Sequence, residues 1–401
     1  MSADDCWGID PKICFLNHGS FGACPLPVLE VQSALRRSME ADPVRFLDGE
    51  LEGRLDEVRA ELGRMVGADP DDLAFVPNAT TGVNTVLRSL RFEPQQEILV
   101  TDMEYNACRN VADFAVGRTR VIAAPVPFPG ASPEAARNAI LSRVTPRTRL
   151  ALLSHITSPT GIILPLESLV TELQSRGVDV LVDGAHAPGQ VPVDITRLGA
   201  AYYTGNCHKW LCSPKGAAFL HVRRDRQANV RPLVISHGAN SRRTDRSRFR
   251  LEFDWTGTGD PTPYLCVLAS IRFMASLMPK GWADVMKRNH ELAVEARRIL
   301  AAALEVPEPC PESMLGSMAA LPLPPALTGA PAPAKGSDPL QERLRAEFNI
   351  EVPVFSWPFA DRKLIRVSAQ LYNRRAQYEQ LADALRKLRQ APPVGPASKG
   401  V

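Results

Sequence analysis

Asp183-Gly-Ala-His186, then twenty-one residues, then His208-Lys209-Trp210, sets a carboxylate and a lysine in a pattern suited to covalent chemistry. A lysine that forms an imine with an aldehyde cofactor needs a partner carboxylate. The carboxylate keeps the cofactor's ring nitrogen protonated, so that electrons released at a substrate carbon have somewhere to go. Taken singly, Asp183 reads as a helix cap and Lys209 as a solvated loop lysine; the joint match at this spacing favours the covalent pair.

The elements that must position them are legible on either side. Val178-Asp179-Val180-Leu181-Val182 is a short β-branched run, the pattern of a strand buried on both faces of a parallel sheet, and Asp183 stands at its end. Open α/β sheets bind ligands at the carboxyl ends of their strands. A second apolar stretch, Ala200-Ala201-Tyr202-Tyr203, leads through Thr204-Gly205-Asn206-Cys207 into His208-Lys209, which predicts a loop at the next strand's mouth. Thr80-Thr81-Gly82, after Asn78-Ala79, reads as a strand-to-helix turn whose free amides and hydroxyls suit a phosphate. Plain N-capping by Asn78 or Thr80 is its simpler explanation, and the neighbouring Asp183 and Lys209 favour the phosphate.

Strand-like and helix-like segments alternate over the first half. Residues 27–39 and 51–66 carry helical spacing. Leu73–Val76, Glu97–Val100, Val121–Ala123, Leu150–Leu153 and the Asp183 run read as strands, with helices after Thr80, after Tyr105, from Pro133 and over 166–176. This alternation predicts a doubly wound parallel sheet. Further on come long helices over about 263–278 and up to Ala303, a strand over Met314–Leu321, and a helix over Leu340–Phe348. Between the last two, the Pro- and Ala-rich stretch Pro322–Pro339 reads as an exposed loop.

Composition bounds the partners. With 401 residues, 45% hydrophobic and 23% charged, the chain can bury a large core and divide into a larger and a smaller domain. Its 47 basic residues are nearly matched by 44 acidic ones, a balance that argues against nucleic acid and for small-molecule chemistry. Eight cysteines show no C-x-x-C pair and no interleaved histidine at zinc spacing, so no metal site is expected and the thiols read as reduced. The start lacks a signal-peptide pattern and no run is long enough to span a bilayer, which predicts no membrane association and a cytoplasmic location. Arg242, Arg243, Arg246, Arg248 and Arg250 form a basic cluster; it would attract a substrate's distal carboxylate or, by the preferred and plainer reading, form a solvated loop or dimer edge.

Together these residues resemble the class V aminotransferase family of pyridoxal-phosphate enzymes (fold type I), and within it the isopenicillin N epimerase-like branch. The resemblance runs from Asn17-His-Gly-Ser-Phe-Gly22 through Phe75-Val-Pro-Asn-Ala-Thr-Thr81, Asp102-Met-Glu-Tyr105, Ser154-His-Ile-Thr-Ser-Pro-Thr-Gly161, Val182-Asp-Gly-Ala-His-Ala-Pro-Gly189 and Gly205-Asn-Cys-His-Lys-Trp-Leu211 to Gly257-Thr-Gly-Asp-Pro261. It implies a large, mostly parallel sheet domain over 51–262 that holds pyridoxal 5'-phosphate, and a smaller α+β domain over 263–395. Residues 1–50 would pack on the small domain and the active site, and 396–401 would be a disordered tail.

Carried over by position, the resemblance makes Lys209 the covalent anchor and acid/base at the substrate α-carbon, with Asp183 on the ring nitrogen. It places Ser158 and His186 at the phenolic oxygen and Thr80, Thr81, Asn206 and His208 around the phosphate. Tyr105 would stack on the ring, where many relatives have His. Thr258 would reach the phosphate of a neighbouring subunit, which implies a homodimer with shared active sites; a turn threonine is the plainer alternative. Arg366 would grip the α-carboxylate of a small amino-acid substrate, helped by Asn17. One such constellation serves several reactions. An amino-acid epimerase is the first expectation, a carbon–sulfur β-lyase the second and an aminotransferase the third, with a catalytically silent binding protein last. Persulfide-type desulfuration is disfavoured, because no cysteine lies between Cys310 and Arg366. For epimerisation, His18, Tyr105 or a water is the candidate proton donor opposite Lys209.

Overall fold

A computed structural model describes residues 6–117, 120–329, 336–359 and 361–390. The strands in chain order are β1 (Cys14–Phe15), β2 (Leu73–Val76), β3 (Glu97–Thr101), β4 (Val121–Ala124), β5 (Thr148–Ser154), β6 (Asp179–Asp183), β7 (Tyr202–Asn206), β8 (Ala218–Val222), β9 (Met318–Pro322), β10 (Ile350–Glu351), β11 (Val354–Ser356) and β12 (Lys363–Ser368). Seven of them make one sheet in the order β2-β8-β7-β6-β5-β3-β4. Strands β3 to β7 run parallel, and β8 is antiparallel to both β7 and β2.

The apolar runs explain this arrangement. Every residue of β3, β6, β7 and β8 is buried, because alternate side chains enter cores on opposite faces. Leu99, Leu153, Val180, Val182 and Tyr203 face one core with the helices Leu51–Val66 and Leu166–Ser175. Ile98, Val100, Leu152, Leu181 and Tyr202 face the other with the helices Ala79–Ser89 and Asn106–Val116. A doubly wound, mostly parallel sheet results, as expected. Fully burying five such side chains stabilises the fold by about 1.5–3 kcal/mol each before the entropic cost of ordering the chain.

A smaller α+β layer follows. Its three-stranded antiparallel sheet, β11-β12-β9, packs with the helices Trp282–Leu304, Pro339–Phe348 and Arg375–Gln390 around Leu300, Leu321, Ile365 and Leu381. The N-terminal segment joins this layer by a parallel pairing of β1 with β10. Two expectations change. The strand begins at Met318, since Glu312–Met314 is a single 3-10 turn. Within the proline-rich stretch Pro322–Pro339, the part before residue 330 is not an exposed loop. Pro325–Thr328 forms one helical turn, and Leu323 and Leu327 are buried in the smaller layer's core. Proline is tolerated in a first turn, where its missing N–H would be unsatisfied anyway, and the two leucines supply the burial that holds the turn. Residues 330–335 and the 396–401 tail lie outside the described residues. Among those described, no helix is long and apolar enough to cross a membrane.

Candidate active site

The carboxyl ends of β5, β6 and β7 open onto a cavity of about 270 Å³, lined by Ser154, Asp183 and Asn206 from the strand ends and by His186 and Lys209 beyond them. Asp183 is buried. Its Oδ1 accepts from the Ala185 amide at 2.9 Å, and its Oδ2 from the Cys108 thiol at 3.2 Å. Burial pushes its carboxyl up, against the pull of the Ala185 amide, the Cys108 thiol and the Lys209 charge.

Beside it sits Glu104, also buried. Its Oε1 accepts from the Tyr105 amide and the Ser154 hydroxyl, both at 3.1 Å, while Oε2 has no partner among the described residues. Burial, and then the charge of Asp183, push Glu104 up to about 8. Two carboxyls this close share one negative charge, and Asp183, with donors on both oxygens, is where it rests. Glu104 and Cys108 were not singled out in the sequence. Glu104 lies in the bend past β3 and Cys108 in the first turn of the helix Asn106–Val116, so no helical spacing links them and only the fold brings both to Asp183. Ligand atoms of Glu104, Cys108 and Asp183 lie within 4.8 Å of one another.

Lys209 follows β7 and points its Nζ to within 3.1 Å of His186 Nε2. Burial, then the Arg366 charge, lower its amine to about 8, with Asp183 and Cys108 opposing. Its backbone is clamped from the N-terminal segment. His18, fully buried and held neutral by burial, with its ring lowered to about 3, accepts from Tyr372 Oη at 2.8 Å on Nδ1 and donates from Nε2 to the Lys209 carbonyl at 3.1 Å. Gly22 lies so close that a Cβ there would meet the His208 carbonyl at 2.8 Å and Lys209 Cα at 3.1 Å, and its φ of 69° favours glycine in any case. His18 thus holds the lysine loop and does not line the cavity.

The helix Ala79–Ser89 begins at the cavity edge. Asn206 Oδ1 accepts from the Ala79 amide and Asn78 Oδ1 from the Thr81 amide, each at 2.8 Å, so β7 and the helix start are tied together. Thr80 lines the cavity, and among the described residues its amide has no acceptor. Thr81 turns away. Its hydroxyl donates to Asn78 Oδ1 at 3.1 Å, and it lines a neighbouring hollow of about 300 Å³ shared with Trp255, Gly257 and Gly259. Thr258 is exposed on the loop beside that hollow, away from its own chain's Lys209. His208 reaches the cavity with Nδ1–H on the Ala217 carbonyl at 2.8 Å, and Tyr105 stands half exposed at the mouth.

Arg366 is 3% exposed, and no carboxylate lies within ion-pair range of it among the described residues. One terminal nitrogen donates to the Ser158 carbonyl, the other donates to Ser20 Oγ at 3.2 Å, and Nε is unpartnered. Ser20 in turn donates to Asn17 Oδ1 at 2.5 Å. Burial lowers the guanidinium to about 10, still charged at neutral pH. A buried cation without an anion is an open invitation to a carboxylate. The basic cluster behaves differently. Arg243, Arg246 and Arg250 close onto Glu52, Asp56, Asp71 and Asp254, which gives a paired structural network and leaves these three no charge to offer a substrate.

Pyridoxal 5'-phosphate fits this donor set: a buried acid for a ring nitrogen, an amine of lowered basicity, a helix start with a free amide at Thr80, and an aromatic ring at the mouth. Its phosphate would find the Thr80 amide and hydroxyl, beside Asn206 and His208.

The aminotransferase class-V family model matches residues 25–308. Isopenicillin N epimerase of Amycolatopsis lactamdurans is 36% identical over 397 residues, covering 95% of this chain and 96% of that protein. A probable chloroplastic L-cysteine desulfhydrase of Arabidopsis thaliana is 31% identical, covering 94% of this chain and 83% of the relative. Among solved structures, the cystine C-S lyase C-DES in complex with cysteine persulfide superposes with a TM-score of 0.75 at 22% identity, covering 96% of this chain and 99% of that one. The cysteine desulfurase CsdA of Escherichia coli gives 0.76 at 19% identity, with 96% and 97% covered. These likenesses establish the α/β fold of type I, and the chain belongs to the class-V aminotransferase family.

Proposed function

We propose that this chain is a pyridoxal-phosphate enzyme acting at the α-carbon of a small amino acid, and that it is an epimerase. The observation that carries the reading is the buried, anion-free Arg366, which backs the wall of the Lys209–Asp183 cavity through its bonds to Ser158 and Ser20. When bound, pyridoxal phosphate supplies a protonated aromatic ring that withdraws electrons from a substrate carbon. Asp183, buried with donors on both oxygens, would keep a proton on the ring nitrogen. Lys209 Nζ, lowered to about 8, would hold the cofactor's aldehyde carbon and, once displaced from it by the substrate amine, would take or return the α-proton near neutral pH. Arg366, with Asn17 orienting Ser20 against it, holds the α-carboxylate. Ser158 and His186 would serve the phenolic oxygen, Tyr105 would cover the ring face, and Thr80, Asn206 and His208 would surround the phosphate, while Thr81, expected there, turns to the neighbouring hollow.

Epimerisation needs a second acid on the face opposite Lys209. His18 is committed to the Lys209 carbonyl and Tyr372, which leaves Tyr105, at the mouth, or a water. The full-length likeness to isopenicillin N epimerases favours this reaction. A carbon–sulfur β-lyase is the second reading, favoured by the cysteine desulfhydrase relatives, and it requires only Lys209 and a leaving group. Transamination is the third.

Thr258 would complete the neighbouring subunit's phosphate site in a homodimer. Its exposed loop and the exposed Leu233, Val234 and Ile235 near the same hollow suit a partner surface. We divide the chain into an N-terminal segment to residue 50, a large domain over 51–262 and a small one over 263–395. The eight buried free thiols suit the reducing cytoplasm. Incubation with L-amino acids in heavy water tests the assignment. Deuterated D-isomer supports the epimerase, pyruvate with sulfide the lyase, and keto acid dependent on an acceptor the transaminase. Protein that stays colourless with added cofactor and turns over nothing overturns all three.

A further inference from the structure

Trp210 is fully buried, and its indole nitrogen reaches His186 Nδ1 at 3.4 Å. An indole N–H can only donate, so Nδ1 must accept. In a neutral imidazole the proton then sits on Nε2, and Nε2 is the atom facing Lys209 Nζ at 3.1 Å. An Nε2–H pointed at an amine needs a lone pair there, and only the uncharged amine has one. The geometry points to Trp210 as a positioning residue that fixes the His186 tautomer so that His186 donates to, and thereby favours, the neutral form of Lys209.

The surroundings agree. His186 lies well below the ordinary imidazole range, through burial first and then the Lys209 and Arg366 charges, so the neutral ring is the one to consider. Arg366 pushes Lys209 the same way, while Asp183 and Cys108 oppose. Trp210 has little freedom to leave. Its ring packs against Ile156, Ala187 and Met318, and a Cβ on Gly189 would meet the Trp210 carbonyl oxygen at 2.6 Å. The His186 main chain is held as well, by Gln190 Nε2 donating to its carbonyl at 2.7 Å. The same Nε2–H suits a phenolic oxygen later, so one tautomer serves the amine before cofactor capture and the cofactor after it. This inference rests on Lys209 as the cofactor's anchor.

The test uses the full-length protein labelled with 15N-histidine, stripped of and then reloaded with pyridoxal phosphate, and two-bond proton–nitrogen correlation spectra. Wild type shows His186 as the Nε2–H tautomer in both states; an Nδ1–H pattern overturns the inference without any variant. In Trp210→Phe, the pure Nε2–H pattern is lost. Cofactor capture by that variant slows roughly three- to tenfold at pH 7, the weight of one neutral hydrogen bond, and matches wild type at pH 9.5, where the amine is uncharged regardless. Equal slowing at both pH values, or a retained Nε2–H pattern, contradicts the proposed role. Lys209→Ala separates the two claims: if it captures cofactor covalently as fast as wild type, the anchor is wrong whatever the tautomer.

Discussion

Among the places where this molecule buries arginines, two do so in opposite ways. Arg59 and Arg250, in the helices Leu51–Val66 and Arg248–Phe253, are almost wholly enclosed and closed by acids. Arg59 donates to Asp56 at 2.7 Å and to Asp254, while Arg250 binds Asp71 at 2.6 Å, Asp254 at 3.1 Å and Asp56. Arg366 is as deeply enclosed, yet only neutral oxygens meet it, and its Nε meets none. Both regions bear the desolvation cost of a charge. In the first the fold itself returns the compensating charge, so the region is structural; in the second that charge is missing, and a ligand must bring it.

The largest expected effect lies in the open region. Lys209→Ala removes anchor and proton carrier together, and turnover should fall by at least about a thousandfold with every substrate. Residual turnover within tenfold of wild type would place the chemistry elsewhere. Next comes a pair that separates the two regions directly. Arg59→Met leaves Asp254 poorly compensated and should cost about 3 kcal/mol of stability or more. Arg366→Met removes an uncompensated cation, so the melting temperature of cofactor-free protein should hold or rise, while KM for the amino acid climbs roughly 10- to 100-fold. Similar destabilisation by both would erase the distinction.

A pH effect follows from Glu104. Its folded value of about 8 lies above the ordinary 4.5, so folding favours the protonated form. The stability this contributes is complete below pH 4.5 and declines as the pH rises to about 8. Glu104→Gln, which stays neutral throughout, should therefore melt higher than wild type at pH 9 and alike at pH 4. The smallest effect belongs to exposed pairs such as Arg243 with Glu52 and Asp245, where Arg243→Gln should leave melting and turnover unchanged.

How much of this was legible in the sequence follows from which contacts are local. Asp183 and Lys209 were, because each ends or follows an apolar run whose burial fixes its place at the sheet's carboxyl edge. The parallel sheet was legible for the same reason. Glu104 and Cys108 were not, since their meeting with Asp183 joins residues 75 or more apart and no local pattern encodes it. The role of His18 was read only in part. Its glycine-rich neighbourhood was visible, but not that Gly22 packs on the Lys209 backbone. The helical turn in the proline-rich stretch escaped because composition argues against helix, while Leu323 and Leu327 are ordered by a core built from distant strands. Thr81 and Thr258 adjoin one hollow outside the Lys209 cavity, a separation that the short motifs around each did not encode.

One bond carries the proposed chemistry, and the most direct measurement of it is peptide mass spectrometry of the holoenzyme after borohydride reduction. A pyridoxyl-phosphate mass increment is expected on the peptide containing Lys209, and none in Lys209→Ala. An unmodified Lys209 peptide, or the increment on another lysine, would contradict it.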